Sequence, residues 1–144
     1  MSNQDITTHK FVAVLNKKVE VGKVMNVLAH MTASLVAQAS EEQKEAMKMV
    51  DYQDKDGNSH VASTNSFVIL KADNGNQIRT VRNGAKEKGL LFVDFTNTMQ
   101  EGTYIEQLER TAQTQEQELE YYGIVLFGKI EEVSELTRKF RLWI

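Results

Sequence analysis

The chain has 144 residues, 41% of them hydrophobic and 26% charged, which suits one domain with a real core. It has no cysteine, which excludes disulfides, thiolate metal sites and a thiol nucleophile. A net charge of −3 argues against bulk electrostatic binding to nucleic acid but leaves room for a local basic patch.

The opening MSNQDITTHK carries no apolar run, and no stretch approaches the ~20 apolar residues of a membrane helix. A cytoplasmic protein without membrane contact is therefore expected, with one domain over residues 10–144 and a short extension over 1–9. FVAVL (11–15) is an apolar run rich in valine and predicts a strand covered on both faces. From Gly22 to Ala39 the pattern turns helical. Val24, Leu28, Met31 and Leu35 form an apolar stripe, while Lys23, Asn26, His30 and Ser34 fall on a separate polar side. Glu20 suits the positive end of that helix dipole.

A short charged helix over 40–48 follows. Asp56-Gly57 then marks a hairpin between alternating residues, with both turn positions at φ > 0. Phe67 to Leu70 predicts another buried strand. Asp73 or Asn74 caps a helix carrying Ile78, Val81 and Ala85, with Gly89 as its stop. Leu90 to Val93 reads as a strand ending at Asp94. Tyr104, Ile105, Leu108 and Ala112 predict a helix reaching Leu119, Tyr122 to Phe127 a strand, Glu131 to Thr137 a helix, and Phe140 to Trp143 an edge strand. Strands alternating with helices imply a three-layer α/β/α sandwich with a small mixed, mostly parallel sheet.

Open α/β sheets bind ligands beyond the carboxyl ends of their strands. If the first strand and LLFV run parallel, Lys23 and Asp94 meet at one rim. Lys23 at a helix N-terminus suits a phosphate or oxyanion, although most lysines are solvated surface groups. It is not part of a Walker A loop: Lys17 stands where glycine is required and Val24 where Ser or Thr is. His30 lies two turns on, either facing a substrate or bonded to a backbone carbonyl. Asp94 either orients a water or pairs with Lys23, or else is a half-buried, paired carboxylate or a cap for the next segment. Thr96 and Thr98 bind a substrate or cap the following helix, and capping is the commoner role. Asp54, Asp56 and Gly57 fail the calcium-loop pattern, because Tyr52 and Ser63 occupy its end positions. No histidine or carboxylate spacing predicts a metal, and no cofactor is implied. Arg79, Arg82, Lys86 and Lys88 form a basic helix face, either solvated or touching a phosphate backbone.

GKVMNVLAHM (22–31) resembles the GKVAAQCSHA-like segment of type II peptidyl-tRNA hydrolases, and DFTNT (94–98) resembles their DAGxT. The resemblance puts Lys23 on that family's functional lysine, His30 on its motif histidine, and Asp94 and Thr98 on its aspartate and threonine. Val27 replaces the family's glutamine and Thr96 its glycine, and the helical segment between Thr98 and Tyr122, expected to cover the rim, is not in the hydrolase pattern. VILKAD, GLLFVDFTNTM and YYGIVLFGK through TRKFRLW resemble domain of unknown function 2000 more closely, nearly throughout from Lys10. That resemblance implies a peptidyl-tRNA hydrolase II-like fold without an assigned activity.

Three functions follow as expectations. The first is a dimeric binder of a small anionic ligand at the Lys23/Asp94 rim, with Gly22, Asn26, His30 and Thr96 as further ligand contacts. The second is an esterase on peptidyl-tRNA, using Lys23, Asp94 and Thr98 as its catalytic set, with tRNA disfavoured by charge. The third is an interaction module in which Tyr104 to Leu119 docks a partner or a second copy, forming a homodimer.

Overall fold

The structure, a computed structural model, describes residues 7–144; the expected N-terminal extension lies outside the described residues over 1–6. In chain order the elements are β1 (His9–Asn16), α1 (Val21–Gln38), α2 (Glu41–Ala46), β2 (Met49–Gln53), β3 (Ser59–Ser63), β4 (Phe67–Ala72), α3 (Gly75–Lys88), β5 (Leu91–Thr96), α4 (Tyr104–Ala112), β6 (Tyr121–Lys129), α5 (Ile130–Thr137) and β7 (Arg141–Leu142). Two 3₁₀ turns, Asn97–Met99 and Glu116–Glu118, flank α4.

Five strands form one sheet in the order β5-β6-β1-β4-β7, and β2-β3 is a separate hairpin. Only β1 and β4 pair in parallel; β1–β6, β5–β6 and β4–β7 are antiparallel. The sheet is mixed, as expected, but its neighbours are mostly antiparallel. The cause is β6, which threads between β1 and β5. Because β1 and β5 both oppose β6, they still point the same way and end at the same rim.

Alternation along the strands sorts the core into two layers. Phe11, Ala13, Leu15, Val125 and Phe127 meet the stripe of α1: Val24, Val27, Met31 and Leu35. Val12, Val14, Ile124 and Leu126 meet Ile78, Val81 and Ala85 of α3 and Val133 of α5. Helices thus cover both faces of the sheet. Complete burial of a side chain such as Leu35 or Ile78 contributes about 1.5–3 kcal/mol.

Local signals explain most of the boundaries. Ser40 and Gln43 form a capping box for α2. Asn74 caps α3, and Gly89 stops it at φ 68°, in the left-handed region that favours glycine. The hairpin turn departs from the two-residue form. Asp54 accepts N–H bonds from Asp56 and Asn58, the loop spans 54–58, and only Gly57 within it has a positive φ. β5 runs two residues beyond Asp94, and α4 stops at Ala112, short of the expected Leu119. Among the described residues, no helix is long and apolar enough to cross a membrane.

Candidate functional site

A cavity of about 720 Å³ lies between α1, β5 and α4. One wall is the polar side of α1, with Gly22, Lys23, Asn26, His30 and Ser34; its floor is Val27 and Met31. Phe95 of β5 faces His30, with ring centroids 6.3 Å apart. Met99, Gln100, Tyr104 and Gln107 close the far side, so the α4 segment does cover the rim. Thr103 and Glu106 form a capping box that fixes the start of α4.

A β-bulge shapes the floor. The β5–β6 register runs Phe95↔Gly123 and then Thr96↔Tyr121, leaving Tyr122 as the extra residue. Tyr121 turns into the α3 layer, while Tyr122 joins the α1 layer and lines the cavity. The Tyr122 hydroxyl donates to Gln100 Oε1 at 2.8 Å, and burial holds its pKa above the ordinary tyrosine value. Gly123 beside it leaves room for α1: a Cβ there would stand 2.9 Å from both Leu15 Cδ2 and Met31 Cε.

Lys23 enters from the first turn of α1. That helix has no side-chain N-cap and no acidic residue in its first turn, so Glu20 contributes its carbonyl and not its carboxylate. Among the described residues the Lys23 ammonium has no ion-pair partner. The N-terminus of α1 and the Lys23 ammonium together place positive charge at the cavity wall. A Cβ on Gly22 would meet nothing within 4 Å, so packing does not demand glycine there.

Asp94 does not complete this group. Its cross-strand partner is Ile124, which belongs to the α3 layer, whereas Val93 pairs with Val125 of the α1 layer. Directly opposed residues share a face, so the Asp94 carboxylate points away from Lys23. It accepts a hydrogen bond from Arg82 Nε at 2.8 Å, both side chains being about one-quarter exposed. Burial alone would lower the Arg82 pKa; the hydrogen bond it donates to Asp94 and nearby negative charges outweigh that and raise the pKa. Asp94 lines the cavity only as part of the β5 rim. Lys23 and Asp94 reach one rim but do not pair, because Asp94 is a mid-strand residue and alternation decides where its carboxylate points.

Thr96 and Thr98 are also turned inward. Their hydroxyls lie 2.8 Å apart, Thr111 Oγ1 donates to Thr98 Oγ1 at 2.7 Å, and both residues are buried. Neither lines the cavity, and Thr96 makes no side-chain cap. The network ties the end of β5 to α4. Gly22, Lys23, Asn26, His30 and Asp94 all line the cavity, Asp94 with its carboxylate turned to Arg82; Thr96 and Thr98 do not line it.

Three of the four cations on the basic face of α3 are held in ion pairs. Arg79 donates to the Glu116 carboxylate at 2.7 Å and to the carbonyls of Glu116 and Leu119, Arg82 holds Asp94, and Lys88 holds Glu135. Phe95, Gln100, Tyr104 and Tyr122 line the cavity without having been singled out as ligand contacts. Tyr122 carries no local signal for this place, because only the bulge aims it.

Residues 9–144 match the family described as protein of unknown function DUF2000. The chain belongs to the DUF2000 family. No protein among the curated sequences compared with it matches. A solved structure of a protein of unknown function from Agrobacterium tumefaciens strain C58 is similar, with a TM-score of 0.78 and 18% identity over 96% of this chain and all of the other. At that identity the likeness concerns the fold alone.

Proposed function

We propose that this DUF2000 protein binds a small organic anion in the α1–β5–α4 cavity, with the acidic group at Lys23 and the apolar body over Phe95, Met31 and Tyr122. The observation carrying this reading is a partly apolar hollow of about 720 Å³ with an unpaired ammonium at a helix N-terminus. Such volumes suit drug-sized ligands, and a few convergent polar groups on an apolar floor suit orientation. Asn26, His30 and Gln107 supply those polar groups.

The peptidyl-tRNA hydrolase II-like fold remains part of the proposal, supported by the placement of GKVMNVLAHM on the helix following β1. The esterase activity is less favoured. It needs a carboxylate at the Lys23 cavity to position water, and Asp94 is held by Arg82 on the opposite face. A second reading concerns α4, whose Ile105 and Leu108 are exposed beside Tyr104. That face would join a second copy in the expected homodimer, and Ile105→Glu would then leave only monomer in light scattering.

The primary reading is tested by NMR titration with 2-naphthoate. Saturable shifts at Asn26, His30, Phe95 and Tyr122 support it. Shifts scattered elsewhere, or none, reject it.

A further inference from the structure

We infer a second ligand site, for a phosphorylated small molecule, in the crevice where Lys17, Lys71, Lys139 and Arg141 converge beyond the carboxyl ends of β1 and β4. The crevice holds about 490 Å³ and shares no lining residue with the α1–β5–α4 cavity. Its other polar residues are Asp73 and Gln77.

The topology singles this place out. β1 and β4 are the parallel pair of the sheet. The chain leaving β1 enters α1, which packs on one face; the chain leaving β4 enters α3, which packs on the other. Where connections diverge to opposite faces, the carboxyl ends of two parallel neighbours open a crevice, and open α/β sheets bind ligands there. Lys17 is the first residue after β1, its N–H bonded to the carbonyl of Ala72, the last residue of β4.

The charges point to an anion. Four cations face one carboxylate in a chain whose overall charge is −3. Asp73 is already engaged by Lys17 at 2.8 Å, a pair more than half exposed. Lys71 and Arg141 are direct cross-strand partners on β4 and β7. Like charges directly opposed on paired strands destabilise a sheet. The fold therefore sustains a repulsion at this position that a bound dianion would relieve. Lys139 reaches the same crevice from the turn before β7, its ammonium 5.3 Å from the centre of the Phe140 ring. Two lysines, an arginine fork and a third lysine suit a phosphate or diphosphate group, and Asp73 and Gln77 suit a hydroxyl next to it.

The test uses pyrophosphate as probe, at constant ionic strength, on the intact chain followed by NMR and calorimetry. One saturable site is expected, with shifts at residues 16–19 and 71–74 and none in the α1–β5–α4 cavity. The Lys71→Gln/Arg141→Gln variant, shown folded by its dispersed spectrum, should bind at least about tenfold more weakly, as loss of two charge-assisted contacts requires. Equal affinity in that variant would overturn the site. So would competition by chloride as effective as that by pyrophosphate, which would reveal an ion atmosphere only, or the absence of saturable binding.

Discussion

Replacing Asp94 by Asn separates a structural role for this carboxylate from a role in the cavity. Asp94 and Arg82 are each about three-quarters buried, and their contact is 2.8 Å. Exposed pairs contribute about 0.2–1 kcal/mol, whereas breaking a fully buried pair costs about 3–5 kcal/mol. A pair of intermediate burial that leaves Arg82 unmatched should cost about 1–2 kcal/mol. For a chain of this length that is a fall in Tm of about 3–6 °C. Urea unfolding of the wild type, Asp94→Asn, Arg82→Gln and the double variant closes a double-mutant cycle, with an expected coupling of about 1 kcal/mol. Binding of 2-naphthoate should be unchanged in Asp94→Asn. Unchanged stability together with lost binding would refute the reasoning, because it would place the carboxylate in the cavity beside Lys23.

Gly123→Ala should overpack the space beneath α1, since its Cβ would meet Leu15 and Met31 at 2.9 Å; a loss of about 1–3 kcal/mol in urea unfolding is expected. Thr98→Val breaks the buried hydroxyl chain to Thr96 and Thr111, and should cost about 1–3 kcal/mol while leaving ligand affinity intact, as measured by calorimetry. Burial, with the hydrogen bond Tyr121 donates to Glu116, pushes the Tyr121 phenol up to about 12 from 10.0. A group whose pKa is raised on folding stabilises the protonated native state. That contribution is complete below about pH 10 and disappears as pH rises through about 12. Ultraviolet titration should therefore show Tyr121 ionising last of the four tyrosines, with Tyr122 also delayed, and Tyr121→Phe should remove the last step.

The elements with strong local signals were readable from the sequence. FVAVL gave a strand buried on both faces, the Val24–Leu35 stripe gave α1, and Asn74 with Gly89 bounded α3. Strand pairing was not readable, because a strand buried on both faces is apolar throughout whether its neighbours run parallel or antiparallel. The insertion of β6 between β1 and β5 depends on contacts far apart in sequence. The segment 113–120 carries no glycine or proline to end the α4 pattern. Arg79 instead captures its carbonyls and draws the chain toward α3.

The site divided along the same line. Gly22, Lys23, Asn26 and His30 share a helix side, so their spacing alone placed them together. Asp94 depended on how far β5 extends and on its register with β6. Tyr122 depended on a bulge, which adds one residue to one strand and leaves no mark in local composition. The third expectation, an interaction module over Tyr104 to Leu119, rested on the segment whose Tyr104 and Gln107 line the cavity.

The charge preference of the cavity tests the central claim most directly. Calorimetry of 2-naphthoate against its neutral analogue 2-naphthamide, in the wild type and in Lys23→Met, isolates the ammonium's contribution. The wild type should favour the carboxylate by about fivefold, and the preference should vanish in Lys23→Met while amide binding persists. A wild type indifferent to the charge, or a preference that survives loss of Lys23, would contradict the assignment of the cavity as an organic-anion site.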